Sequence, residues 1–119
     1  MRIIINTNDE NFVRLYLMLW RTALRLTDSE VIVLEAIVKR YIKLKSEGVK
    51  DSYIPDLLFT TTARKELQEA VGYSENHFNN IVKTLKDKRI ISKVGDSYTI
   101  SDPRVLPVPE ITFKFVKND

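Results

Sequence analysis

The sequence predicts a mainly α-helical domain carrying a small β-hairpin, and three observations lead there. Apolar residues recur at helical spacing in four successive stretches between Asp9 and Lys88. Gly72 separates the last two of these stretches with the residue best suited to a tight left-handed turn. Two short runs of strand formers then flank Gly95-Asp96-Ser97, the pattern of a hairpin with a short tip. The 119 residues, 44% hydrophobic and 29% charged, suit one globular domain spanning residues 1–119. Its core is expected over about 27–101, with 102–119 as a C-terminal extension.

Met1 to Ile5 is a β-branched run that fits a short strand, ended by the turn formers Asn6 to Asn8. A helix is expected from about Asp9 to Leu26. Its apolar residues, among them Phe12, Tyr16, Leu19 and Trp20, occupy more than one face. Such a helix must be covered on several sides, either as the central core helix or as the interface of a homodimer. Thr27-Asp28-Ser29-Glu30 has the spacing of a capping box, and Val31, Leu34, Ile37, Val38, Tyr41, Ile42 and Leu44 carry a second helix towards a stop at Gly48. Lys39, Arg40, Lys43 and Lys45 crowd its last turns, where cations complement the helix dipole and phosphate contact is a second option. Asp51 to Phe59 contains Pro55 and is expected to be irregular, with Leu57-Leu58-Phe59 a candidate short strand.

One of Thr60, Thr61 and Thr62 caps a third helix that runs to Val71 with Ala63, Leu67, Ala70 and Val71 inward, and Ser74 caps a fourth that runs to about Lys88. Phe78, Ile81, Val82 and Leu85 form its single apolar stripe. At about 100° per residue, Asn76, Asn80, Lys83 and Asp87 lie opposite that stripe, with His77, Asn79 and Thr84 at the sides. Asn is a mediocre helix former, so this amide-rich face is either a solvated surface or a contact surface. Asn can bond an adenine edge twice in the major groove, and Lys reaches a guanine edge or a phosphate. Around the helix end and hairpin, Lys83, Lys86, Lys88, Arg89 and Lys93 outnumber Glu75 and Asp87, which suits a polyanion.

The lines LTDSEVIVLEAIVK, TTARKELQEAVGYSENHFNNIVKTLKDKRIISKVG and DSYTIS resemble the successive helices and wing of the winged helix-turn-helix superfamily, over roughly Thr27 to Ser101. They look like MarR-like regulators and related phage or plasmid DNA-binding modules. The resemblance implies that the helix Ser74 to Lys88 enters the major groove of double-stranded DNA and that the wing, Lys93 to Ser97, touches the backbone or minor groove. On that basis Ser74, Asn76, His77, Asn79, Asn80 and Lys83 are candidate base contacts. Thr61, Thr84, Lys86, Lys88, Arg89 and Lys93 are candidate backbone contacts, and Phe12, Tyr16, Leu19 and Trp20 are candidates for a homodimer interface. The chain departs from the pattern in a short wing with only Lys93 near its tip, and in having no Arg on the outer face of the helix.

The tail, with Pro103, Pro107 and Pro109, ends in the alternating run Ile111 to Val116, which suits a strand paired with Arg2 to Ile5 or added to a partner's sheet edge. His77 is the only histidine, there is no cysteine, and neither a phosphate loop nor a metal-spaced carboxylate cluster is present. No catalytic residue, metal or cofactor is therefore expected. The longest apolar run, Leu15 to Trp20, is far short of the roughly 20 residues of a bilayer span, and no signal-peptide pattern occurs, so a cytoplasmic protein without membrane contact is expected. The expected function is a DNA-binding transcriptional regulator. The alternative is a winged-helix protein-interaction module of a replication or phage assembly that reads no bases.

Overall fold

The computed structural model describes residues 9–106, and the strands expected over residues 1–5 and 111–116 lie outside the described residues. Five helices and one hairpin follow in the order α1 Asp9–Leu24, α2 Asp28–Ser46, α3 Ile54–Leu58, α4 Thr61–Val71, α5 Glu75–Asp87, β1 Ile91–Val94 and β2 Ser97–Ile100. The expected class, mainly α with a small hairpin, is the observed one.

The capping box forms as the sequence indicates. The Glu30 backbone N–H donates to the Thr27 hydroxyl at 3.2 Å, and the Thr27 backbone N–H donates to Glu30 Oε1 at 2.9 Å. At its other end, α2 is closed by Gly48 at φ 83°, where the backbone N–H of Val49 bonds back to Leu44 O.

The central helix is α2, not α1. Val31, Val33, Leu34, Ile37 and Val38 are all buried, because α1, α3, α4 and α5 all pack around α2. α1 buries Val13, Tyr16, Leu17 and Leu24 but leaves Leu15, Met18 and Leu19 exposed, so its nearly all-round apolar pattern does not make it the core helix. The core also takes in Val105, held in a short 3-10 turn over Pro103–Val105, and so extends beyond the 27–101 limits in both directions.

The segment between α2 and α4 is helical rather than irregular or extended. A 3-10 turn at Asp51–Tyr53 leads into α3, where Pro55 sits in the first turn and so loses no intrahelical hydrogen bond. Ile54 and Leu58, one helical turn apart, are its buried pair, whereas a strand would have put the exposed Asp56 on the same face as both. α3 packs against β2, and the Phe59 ring meets Tyr98 edge-on at 5.3 Å. Arg40 of α2 ties this segment down: its guanidinium donates to Leu57 O and to Glu66 of α4. Lys43 and Lys45 stand in the last turn of α2, as expected, and three of the four cations late in this helix have acidic or carbonyl partners in the chain: Lys39 with Glu35, Lys45 with Asp51 and Arg40 with Glu66 and Leu57 O.

β1 and β2 pair antiparallel with Ile91 opposite Ile100 and Val94 opposite Ser97. The turn is the two residues Gly95-Asp96, so Ser97 belongs to the ladder. Gly95 takes φ 62° at the first central position, which in a two-residue hairpin favours Gly.

Candidate nucleic-acid interface

α4 and α5 are joined by a short turn built from Gly72 to Ser74. Thr60 caps α4, its hydroxyl accepting from the Ala63 backbone N–H at 3.0 Å. Gly72 is left-handed at φ 73° and closes α4 through its backbone N–H to Gln68 O at 3.1 Å. Ser74 caps α5, accepting from the His77 backbone N–H at 3.1 Å. This use of its hydroxyl makes Ser74 a structural cap, a role the sequence also indicated.

α5 is fastened on three sides. Phe78, Val82 and Leu85 are buried beneath it. On the flank facing α2, the Thr84 hydroxyl lies 3.0 Å from Glu30 Oε2, and the Lys88 ammonium donates to Glu30 Oε1 and to Arg25 O. On the flank facing α4, Arg64 donates through Nε and Nη2 to Asn79 Oδ1 at 3.2 and 2.7 Å. The Arg64 guanidinium also lies 6.0 Å from the ring centroids of Phe78 and Tyr98, linking α5 to the hairpin.

These fastenings sort the candidate contacts. Asn76, Asn80 and Lys83 are exposed on the outer face. His77 is exposed and stacks on Tyr73 at 4.2 Å. Asn79 is half-buried and bound to Arg64. Thr61 is exposed in the first turn of α4, and Lys86, Arg89 and Lys93 are exposed around the end of α5 and the hairpin. Thr84 and Lys88 are exposed but also meet Glu30, so they help to hold α5 on α2. Arg64 is the residue that sequence reasoning missed. Its position beside Ala63, on the inward side of α4, was the available signal.

Glu30 explains why the α2 flank holds. Its burial opposes ionisation, but the hydrogen bonds from Lys88, Thr27 and Thr84 outweigh that effect and keep its carboxyl below the ordinary value. The pairing of Lys88 with Glu30 has counterparts elsewhere. Arg14, Arg21, Lys39, Arg40, Lys45 and Arg104 all pair with carboxylates. Among the described residues, Arg25, Lys43, Lys50, Arg64, Lys65, Lys83, Lys86, Arg89 and Lys93 have no carboxylate partner. Four of these nine cations therefore lie within one short stretch, on the outer face of α5 and at the base of the hairpin.

Of the candidate dimer residues, Leu19 is exposed, whereas Phe12 and Trp20 are half-buried. Tyr16 is 6% exposed and faces the interior of its own protomer, so it is a core residue. Leu15 and Met18 stand beside Leu19 as the exposed apolar row. No helix among the described residues is long and apolar enough to cross a membrane. Comparison with known proteins finds no match among family models, curated proteins or solved structures.

Proposed function

We propose that this chain is a winged helix-turn-helix DNA-binding protein, a transcriptional regulator that lays α5 in the major groove and sets the β1–β2 hairpin beside the backbone. In this reading α2, α4 and α5 are the three-helix core and the hairpin is the wing. The observation that carries it is the grouping of charge: among the described residues, Lys83, Lys86, Arg89 and Lys93 make no ion pair and stand close together in sequence beside the exposed amides Asn76 and Asn80. Phosphate contacts from those cations supply affinity, and the amides supply base readout. A homodimer through the Leu15, Met18 and Leu19 row of α1 places two such helices on one duplex.

Fluorescence anisotropy on random-sequence duplex at two salt concentrations tests the reading. Four neutralised phosphates predict a slope of log affinity against log salt of about −3.6, so a fourfold rise in salt weakens binding by roughly a hundredfold. A folded sample that binds no duplex at low salt removes the proposal. The interaction-module reading draws on a different observation, the 47% exposed Val94 next to the acidic Asp96 at the hairpin tip, a combination unsuited to a phosphate backbone. A salt-insensitive complex with another protein through that tip is the result that favours it.

A further inference from the structure

Asn79 stands apart from Asn76 and Asn80 because one half of its amide is already engaged. Arginine carries only hydrogen-bond donors, so the amide oxygen must be the atom facing Arg64. Two guanidinium N–H groups, at 3.2 and 2.7 Å, use both lone pairs of that oxygen. The amino half, Nδ2, has no partner among the described residues. An asparagine that reads adenine needs both halves, the oxygen accepting from the N6 amino group and the nitrogen donating to N7. Asn79 has only the second to offer. Asn76 and Asn80 are exposed and make no side-chain hydrogen bond among the described residues, so they keep both.

We propose that Arg64 fixes Asn79 as a donor-only contact, so that Asn79 meets a hydrogen-bond acceptor of the duplex, a base-edge atom such as guanine N7 or a phosphate oxygen, and makes no bidentate adenine contact. Arg64 is the positioning residue. The Arg64 guanidinium also lies 6.0 Å from the Phe78 and Tyr98 ring centroids, so the choice of amide half belongs to the packing between α4, α5 and the hairpin. The inference rests on the DNA-binding reading and adds to it a division of labour among the three asparagines: adenine recognition belongs to Asn76 and Asn80, and Asn79 constrains a neighbouring position by donation alone.

The test uses a duplex selected from a random pool by the unmodified chain, with acceptors deleted one at a time: 7-deazaguanine for guanine, and a methylphosphonate for each phosphate. Asn79→Ala is expected to weaken binding about threefold to tenfold, the range of one hydrogen bond. One deletion is expected to weaken the unmodified chain by the same factor while leaving Asn79→Ala unaffected. A base deletion with that behaviour places the contact on a base edge, and a methylphosphonate places it on the backbone. Arg64→Met is expected to abolish that coupling, and Arg64→Lys, also donor-only, to restore part of it, which a general loss of fold would not do. Coupling of Asn79 instead to the adenine N6 amino group, read by replacing adenine with purine, overturns the proposal. So does Asn79→Ala binding as tightly as the unmodified chain. If the unmodified chain binds no duplex at all, the DNA reading itself is what has failed.

Discussion

Glu30 shows how much one side chain settles. It completes the cap of α2, receives the Thr84 hydroxyl and pairs with Lys88, so one carboxylate starts a helix and fastens another. The capping half was legible, because Thr and Glu three residues apart are a local signal. The fastening half was not, since Lys88 lies 58 residues further along and nothing near it marks its partner. Removing the cation leaves a buried carboxylate unpaired, so Lys88→Met is expected to lower stability by about 2 kcal/mol in urea denaturation, with no change in the salt slope of DNA binding. Lys83→Ala is expected to do the reverse, flattening that slope by about 1 with stability unchanged within about 0.5 kcal/mol. pH dependence follows from the same network. Glu30 and Glu35 are both held below the ordinary carboxyl value of 4.5 when folded. Their contribution is present above that value, and it is lost as pH falls through the lowered folded values, where the unfolded chain binds more protons. Urea midpoints are expected to be level near neutrality and to decline in acid, with a shallower decline for Glu30→Gln.

At the scale of elements, the helix ends divide into those marked by glycine and those that are not. Gly48 and Gly72 announced their turns. α1 and α5 end instead on Arg25 and Arg89, at φ 56° and 61°, each followed by an apolar residue whose N–H bonds back across the last turn. No propensity marks arginine for that conformation, so only the structure shows the strain, and the apolar residues Leu26 and Ile90 were the faint local clue. A non-glycine residue in the left-handed region costs about 1–2 kcal/mol, so Arg25→Gly and Arg89→Gly are both expected to raise the melting temperature. Arg89→Gly alone is expected to weaken DNA binding, because Arg89 belongs to the unpaired basic group, and anisotropy on the two variants separates strain from function. α3 makes the opposite point. Its proline suggested irregularity, yet a helix whose first turn holds the proline is stable once Ile54 and Leu58 find the core and Arg40 takes the Leu57 carbonyl.

For the whole molecule, the decisive fact is which helix the others surround. α2 holds that place, which leaves the row Leu15, Met18 and Leu19 of α1 facing outwards. Size-exclusion with light scattering is expected to show a dimer at micromolar concentration. Met18→Glu is expected to yield a folded monomer that binds DNA more weakly. Tyr16→Ala, at a buried site, is expected instead to destabilise the protomer by about 3 kcal/mol. A stable monomer of the unmodified chain removes the dimer.

The sequence by itself determined the parts whose causes are local: the helical periods, the caps at Thr27 and Ser74, a threonine cap among residues 60–62, the Gly72 turn and a hairpin with a short tip at Gly95. Each of these rests on residues within a few positions of one another, where spacing is a physical constraint. Tertiary structure alone decided which polar side chains around α5 remain available. Asn79 meets Arg64 and Lys88 meets Glu30 only because helices distant in sequence pack side by side. An ion pair or amide contact across such a gap leaves no periodic trace in the chain. The flanks of α5 therefore had to be seen in place before its outer face, Asn76, Asn80 and Lys83, could be told from the side chains that merely hold it.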